Sequence, residues 1–302
     1  MSRSVPLTLE LPPGFDLEWV FGFLAARVVP SLESLEDGVY RRSLRLEDGP
    51  LVLTAERLHH PGAGALRVRS DPPRPRPRVR EIVTRMLDLD ADLAAFHALA
   101  AADPILRDLV PRCPGLRLPQ YLDSFEGTMR AILGQQVSLA AASTMTDRLV
   151  RRFGEVLPAS EGGAGLFTFP RPEVLAAAGP ASLAAIGLTR AKSSALHNLA
   201  VAVADGTIDW EHLRHAPAAE AEAALCALPG IGPWTASYVR MRTLGDRDAF
   251  PAADLGVLKA MERLGPGGPG GKRPAPREVL ARAESWRPWR AYATLHLWTS
   301  LS

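Results

Sequence analysis

Leu228-Pro229-Gly230-Ile231-Gly232-Pro233-Trp234-Thr235-Ala236 is the stretch whose reading decides the fold. An alanine-rich helical run, 219–227, precedes it, and a second helical run, 234–242, follows it. Gly230 and Gly232 allow backbone angles that a Cβ resists. Pro233 suits the first turn of the second helix, where a missing N–H costs nothing. The stretch therefore predicts a tight helical hairpin over 219–242 with unpaired N–H groups at its tip. Free amides and the helix dipole both favour negative charge there, which makes the tip a candidate phosphate site.

Downstream, Phe250-Pro251-Ala252-Ala253-Asp254-Leu255-Gly256-Val257-Leu258-Lys259 places one aspartate just before a new helical run. Asp254 fits two roles, an N-cap or the carboxylate of an active site, and its spacing from the hairpin favours the second. Trp234 and Tyr238 are four residues apart and share one helical face. Trp298 falls on the same face of the last helix as Ala291 and Leu295. Each ring alone reads as an ordinary core aromatic, but two of them lie within a few residues of the candidate phosphate tip. Arg240 and Arg242 read equally as phosphate contacts or as a solvated helix end.

Moving outward, the totals limit the function classes. The chain has 302 residues, 47% apolar and 23% charged, with a net charge of +2. That suits a globular protein and excludes a polycationic binder while leaving room for a local basic face. Cys113 and Cys226 have neither metal-ligand spacing nor a disulfide framework, which points to a reducing home and away from a four-cysteine cluster. No apolar run is long enough to span a bilayer, and 1–4 lacks the apolar core of a secretion signal. A cytoplasmic monomer with no membrane partner is expected.

Taken in order, 5–11 alternates like a strand, 17–29 reads as a helix, and 39–46, 51–55 and 66–69 are further strands separated by Asp/Gly and Pro/Gly turns. The Pro/Arg-rich 71–78 reads as an extended, wet connector, followed by a helix over 80–89. From Leu93 on the pattern is helical, with runs at 94–101, 104–110, 124–133, 139–153, 171–178, 180–186 and 190–205, and terminal helices at 276–284 and 288–298. Ser124 and Thr189 are the expected caps of their helices. Gly-rich 162–165 and 265–271 read as loops. The expected fold class is α+β: residues 1–90 as a mixed α/β domain with an antiparallel sheet, then 91–302 as an all-helical domain of two subdomains flanking a cleft.

The hairpin, a Gly/Pro-containing loop and the aspartate that ends 250–254 together resemble the helix-hairpin-helix DNA glycosylase superfamily. Within it the chain resembles the alkylbase, or DNA-3-methyladenine glycosylase II, family nearly end to end. The residues that carry the resemblance are 22–27 (Gly-Phe-Leu-Ala-Ala-Arg), 114–119 (Pro-Gly-Leu-Arg-Leu-Pro), 130–135 (Arg-Ala-Ile-Leu-Gly-Gln), the hairpin, 286–293 and 295–298. The resemblance implies an N-terminal domain like a TATA-binding-protein repeat. It implies Asp254 as the catalytic residue and a base pocket of Trp234, Tyr238 and Trp298, with Phe23 from the first domain. DNA would be held by Gly230, Ile231, Gly232 and Thr235. Gln136 stands where the best-known member has a wedging leucine, and it reads either as a polar wedge or as an exposed helix-end residue. No cofactor is required, and main-chain carbonyls of Cys226, Leu228 and Ile231 are the implied seat of a monovalent cation. Trp234 occupies the position of the Schiff-base lysine of bifunctional relatives, so no lyase activity is expected.

The implied partner is double-stranded DNA carrying alkylated purines, in a bacterial cytoplasm at the nucleoid. The implied reaction is monofunctional removal of 3-methyladenine, 7-methylguanine and similar bases to leave an abasic site. Two other readings use the same features. The scaffold also suits deaminated or oxidised bases, which are neutral and leave less readily, and the hairpin alone also serves non-catalytic DNA-binding modules.

Overall fold

The computed structural model describes residues 6–46, 49–58, 64–158, 165–265 and 272–301. Five strands, β1 (Leu7–Glu10), β2 (Glu33–Glu36), β3 (Val39–Leu46), β4 (Gly49–Leu58) and β5 (Ala65–Asp71), form one sheet in the order β1-β5-β4-β3-β2, antiparallel throughout. Cross-strand partners Leu9 and Leu66, Val68 and Ala55, and Leu44 and Leu51 share the face covered by α1 (Leu17–Ala25) and α2 (Arg76–Leu87). On the other face Val52 packs with Leu157 and Leu166. That explains why β4 is apolar on both faces around Leu51-Val52-Leu53.

Helices follow: α3 (Ala94–Ala102), α4 (Leu106–Leu109), α5 (Ser124–Leu133), α6 (Leu139–Phe153), α7 (Pro172–Ala184), α8 (Arg190–Ala204), α9 (Trp210–His215), α10 (Ala218–Cys226), α11 (Pro233–Val239), α12 (Leu255–Leu264), α13 (Pro276–Ala283) and α14 (Arg290–Thr299). They divide into two cores. One, from α5 to α11, buries Met129, Leu149, Leu196, Leu225 and Val239. The other joins α3 and α4 to α12–α14 and buries Phe96, Leu106, Val257, Trp286 and Leu295. The hairpin belongs to the first lobe and Asp254 opens a helix of the second, so the cleft between the lobes separates the two sequence features.

Several local expectations change. The edge strand β2, Glu-Ser-Leu-Glu, was not expected, because two glutamates argue against a strand. The connector 71–78 is shorter than expected: α2 already starts at Arg76, with Pro77 tolerated in its first turn. Asp123, not Ser124, caps α5, accepting from the N–H groups of Phe125 and Glu126 at 2.8 and 3.1 Å. Thr189 does cap α8 through Lys192 N–H. The two runs at 171–178 and 180–186 meet at Gly179, whose φ of 73° breaks α7. The hairpin's second helix ends at Val239 and runs into a wide π turn, Arg240–Leu244. Of the two expected Gly-rich loops, 162–164 and 266–271 lie outside the described residues.

The domains are joined by a buried ion network. Glu33 on β2 lies directly opposite Arg42 on β3. Arg42 reaches Glu33 at 2.9 Å and both oxygens of Glu126 on α5 at 2.6 Å. Arg130, one turn after Glu126, reaches Glu33 at 2.9 Å and Glu126 at 3.1 Å. Burial alone would raise the Glu33 carboxyl, but the Arg42 and Arg130 guanidiniums outweigh it and hold it below its usual range. The edge strand therefore exists because its charge is paired inside the protein, not because its sequence favours a strand.

His296 on α14 gives a pH dependence. It is buried against Phe96, with ring centroids 5.5 Å apart, and burial, aided by His97, pushes its pKa down to about 3. The unfolded chain, with an imidazole near 6.5, then binds more protons than the folded one below that value. Stability from this group is full above about pH 6.5 and falls by roughly 1.4 kcal/mol per pH unit on acidification towards its folded pKa. His296→Leu should flatten the fall of the unfolding midpoint between about pH 6.5 and 4. A slope as steep as wild type would show that other groups carry the acid transition.

Candidate active site

The hairpin takes the shape its glycines imply. Gly230 has φ 94°, and a Cβ there would lie 2.3 Å from the Cβ of Ala195 on α8, so both conformation and contact require glycine. Among the described residues no acceptor takes the N–H of Gly230 or Gly232. The first-turn amides of Trp234 and Thr235 lack intrahelical partners by position. The Ile231 N–H, by contrast, is already given to the Leu228 carbonyl at 3.0 Å, and its side chain is buried in the hairpin's lobe. The amides of the tip left free to hold an anion are therefore those of Gly230, Gly232, Trp234 and Thr235.

Asp254 performs the capping role and more. Its Oδ1 accepts the Val257 N–H at 3.0 Å, closing the first turn of α12, and the Trp298 indole N–H at 2.8 Å. Its Oδ2 accepts the Trp234 indole N–H at 3.0 Å. An ionised carboxylate offers about four acceptor positions. Three are filled here, and the one left over is on Oδ2. One indole comes from each lobe, so the carboxylate bridges the cleft. Gly256 makes room for this: a Cβ there would lie 2.9 Å from Trp298 Cδ1 and 3.0 Å from Asp254 Oδ1.

The three aromatic candidates converge. Trp234 stacks on Tyr238 with centroids 5.6 Å apart, and Tyr238 faces Trp298 at 6.4 Å with a 39° tilt. All three, with Asp254 and Gly256, line an open cavity of about 360 Å³ between the lobes. A flat ring inserted between Tyr238 and Trp298 needs two contacts of roughly 3.5 Å, slightly more than the present gap, so a small swing of Trp298 would admit it.

Phe23 lies elsewhere. It is buried, stacked on Trp19 at 5.2 Å, and the guanidiniums of Arg27 and Arg242 lie over its ring at 3.6 and 4.5 Å. It is absent from the cavity wall, and Arg27 occupies the wall in its place. Gln136 is exposed, in the left-handed conformation at φ 57°, on the loop between α5 and α6. A non-glycine residue there is strained, and such strain concentrates at functional sites. The loop is pinned to the hairpin by Gln135, whose side-chain amide donates to the Gly230 carbonyl and to Thr235 Oγ1, both at 2.9 Å. The hydroxyl of Thr235 is thus engaged by the loop, while its N–H remains available.

Arg27, Tyr121 and Arg130 also line the cavity, as do Val137 and Leu139, which are 41% and 48% exposed at its mouth. Nothing in their local sequence assigns them roles. Arg27 and Arg130 sit within the family-like stretches, but a lone arginine on a helix reads first as solvated. Exposed Val137 and Leu139 would stand out only once the cleft is known. The carbonyl of Cys226 ends α10, where helical carbonyls lack partners. That of Leu228 takes the Ile231 N–H, with one lone pair left.

A hairpin tip with free amides, an aromatic cleft and one bridging carboxylate match the class of the helix-hairpin-helix base-excision proteins. Residues 129–288 match the HhH-GPD superfamily base excision DNA repair proteins, and residues 6–123 match the AlkA N-terminal domain. The chain belongs to the HhH-GPD superfamily, a family of glycosylase hydrolases. It is 41% identical, over 99% of its length, to the Mycobacterium tuberculosis protein called probable bifunctional transcriptional activator/DNA repair enzyme AlkA, of which it spans 57%. It is 34% identical to DNA-3-methyladenine glycosylase 2 of Escherichia coli, with 96% of each covered. The solved structure of a 3-methyladenine DNA glycosylase from Archaeoglobus fulgidus superposes with a TM-score of 0.80 at 26% identity over 97% of both chains.

Proposed function

We propose that this protein is a monofunctional DNA glycosylase that hydrolyses the N-glycosidic bond of alkylated purines flipped out of double-stranded DNA, leaving an abasic site. The observation that carries the reading is Asp254, held between two indole N–H groups at an aromatic cavity beside the hairpin. A base inside a duplex is out of reach, so the nucleotide rotates into the cavity. There Tyr238 and Trp298 sandwich it. The hairpin amides hold a backbone phosphate, and Gln136 fills the gap left in the stack.

Alkylation at N3 or N7 leaves the purine positively charged and ready to depart, so no general acid is needed. The difficulty is the positive charge that develops on the sugar. The free lone pair on Asp254 Oδ2 stabilises that charge and orients the attacking water, a preorganised electrostatic contribution. The leftover acceptor positions of Cys226, Leu228 and Ile231 carbonyls suit a monovalent cation, whose charge would strengthen phosphate binding at the tip.

Incubation with methylated duplex DNA, followed by chromatography of the freed bases, tests the reading. Release of 3-methyladenine and 7-methylguanine with an intact sugar-phosphate strand is expected; strand binding without base release would overturn it. Gly256→Ala provides a sharper test of geometry. The added methyl displaces the Trp298 ring from the carboxylate, and misplacement on the scale of an ångström costs up to about a hundredfold in rate. Base release should fall by about tenfold to a hundredfold with little change in the unfolding midpoint. Wild-type turnover in this variant would show that the Trp298–Asp254 contact is dispensable.

A further inference from the structure

The loop between α5 and α6 meets the hairpin tip through the half-buried side chain of Gln135. Helix α5 closes just before it, with the Gly134 N–H given to the Arg130 carbonyl and the Gln135 N–H to that of Ile132. Beyond it the chain turns through Gln136, and Ser138 caps α6 through the Ala141 N–H at 3.2 Å. The side-chain nitrogen of Gln135 donates to the Gly230 carbonyl and to Thr235 Oγ1, partners 95 and 100 residues away in sequence. A carbonyl oxygen only accepts, so the nitrogen end of the amide has to face it, and chemistry fixes the orientation of the side chain. A second bond ties down the start of the loop: the Lys192 ammonium on α8 donates to the Leu133 carbonyl at 2.6 Å. Helix α8 is itself seated on the hairpin at Ala195, against Gly230.

Gly230 and Thr235 are also two of the tip residues whose N–H groups are free to hold an anion. The groups that would take a phosphate and the residue that would enter the base stack are therefore joined by two hydrogen bonds and one peptide link. Gln136 is held in the left-handed region, which residues with a Cβ rarely adopt. A loop released from the hairpin would let it relax to an ordinary conformation and swing its side chain away.

Resting on the glycosylase reading above, we propose that Gln135 is a positioning residue for base flipping. By bonding Gly230 and Thr235 it holds Gln136 at a fixed distance from the phosphate captured at the tip, so that strand capture and filling of the vacated stack occur in one register. Gln135 is not on the cavity wall, and its side chain bonds hairpin groups, not Asp254. Its influence is thus confined to substrates whose stack has to be opened and refilled. A single strand has no partner base to support, and the position of the loop matters little there.

The test measures release of 7-methylguanine from one methylated oligonucleotide, as duplex and as single strand, by the full chain as wild type, Gln135→Leu, Gln135→Glu, Gln136→Gly and the Gln135→Leu/Gln136→Gly double variant. Leucine cannot donate, and glutamate keeps the shape while turning an acceptor towards the Gly230 carbonyl. Glycine adopts positive φ without strain and removes the side chain of Gln136. Both Gln135 variants should slow duplex release by about tenfold to a hundredfold, the scale of an ångström-size misplacement, and single-strand release by less than about threefold. In the Gln136→Gly background, Gln135→Leu should cost nothing further, because residues that act as a unit are not additive. Duplex release at the wild-type rate in both Gln135 variants, an equal loss on the two substrates, or losses that add in the double variant would overturn the proposal. Release from neither substrate by wild type would instead count against the glycosylase reading. Fluorescence of 2-aminopurine placed opposite an abasic site in bound duplex would then still decide whether Gln135 positions Gln136: the change on binding should be present in wild type and lost in Gln135→Leu, and its persistence would overturn the proposal.

Discussion

Asp254→Asn should abolish base release, lowering the rate by about a thousandfold or more, while binding to abasic-site DNA changes by no more than a few-fold. The substitution is nearly isosteric, and asparagine is as good an N-cap as aspartate. The bond from Val257 N–H that opens α12 therefore survives. What changes is charge and one acceptor. The amide nitrogen of asparagine can only donate, so with the oxygen kept towards Val257 and Trp298 it is Trp234 that loses its acceptor. The cavity is open, and water can satisfy the abandoned indole, so the cost in stability should stay within about 1–3 kcal/mol. Loss of a unit negative charge beside a developing sugar cation is much more expensive. The decisive comparison is single-turnover release of 3-methyladenine against abasic-site DNA affinity, with the unfolding midpoint as control. Release within tenfold of wild type would remove Asp254 from the chemistry.

The hairpin, the aspartate and the three rings were readable because each rests on local rules. Gly230 and Gly232 mark the turn, Pro233 marks the helix start, and spacing by four places Trp234 and Tyr238 on one face. Asp254 both caps α12 and lines the cleft, so the two readings of it do not compete: the cap geometry is what fixes the carboxylate in the cleft. The strands β3, β4 and β5 were legible from alternation and turn residues. β2 was not, because its Glu33 is stabilised by Arg42 across the sheet and Arg130 from another domain, and neither partner is local in sequence. The arginine end of the cavity was invisible for the same reason. Arg27 and Arg130 are separated by more than a hundred residues, and only the docking of the sheet domain onto α5 brings them together. Phe23 shows the limit of residue-by-residue transfer: its stretch lies beside the site, yet Arg27 from the same stretch reaches the cavity.

The docking itself yields the second large effect. Glu33→Gln should destabilise the protein by about 3–5 kcal/mol at neutral pH, because it leaves Arg42 and Arg130 in the interior with Glu126 as their one remaining carboxylate. Glu33 is 3% exposed and accepts from Arg42, from Arg130 and, at 2.5 Å, from the Tyr40 hydroxyl. A glutamine retains one acceptor but turns an N–H₂ towards donors. The control is Glu56→Gln on the same sheet. Glu56 pairs with Arg67 at 3.3 Å with both side chains well exposed, and such pairs contribute at most about 1 kcal/mol. The two variants thus carry the same chemical change with opposite surroundings. The pH dependence separates them further. Glu33 is held below its usual range, so its contribution is present above the unfolded value of about 4.5 and is lost as pH falls through the folded one. The deficit of Glu33→Gln should accordingly be largest near neutrality and shrink on strong acidification, whereas Glu56→Gln should stay close to wild type throughout. Thermal unfolding midpoints of the three proteins across that range are the measurement. A Glu33→Gln midpoint indistinguishable from that of Glu56→Gln would mean that the domains are held by apolar packing and that the ion network contributes nothing. Because Arg130 lines the cavity and is oriented by Glu33, the same variant links the sheet domain to the site: its arginine wall depends on a strand nearly a hundred residues away.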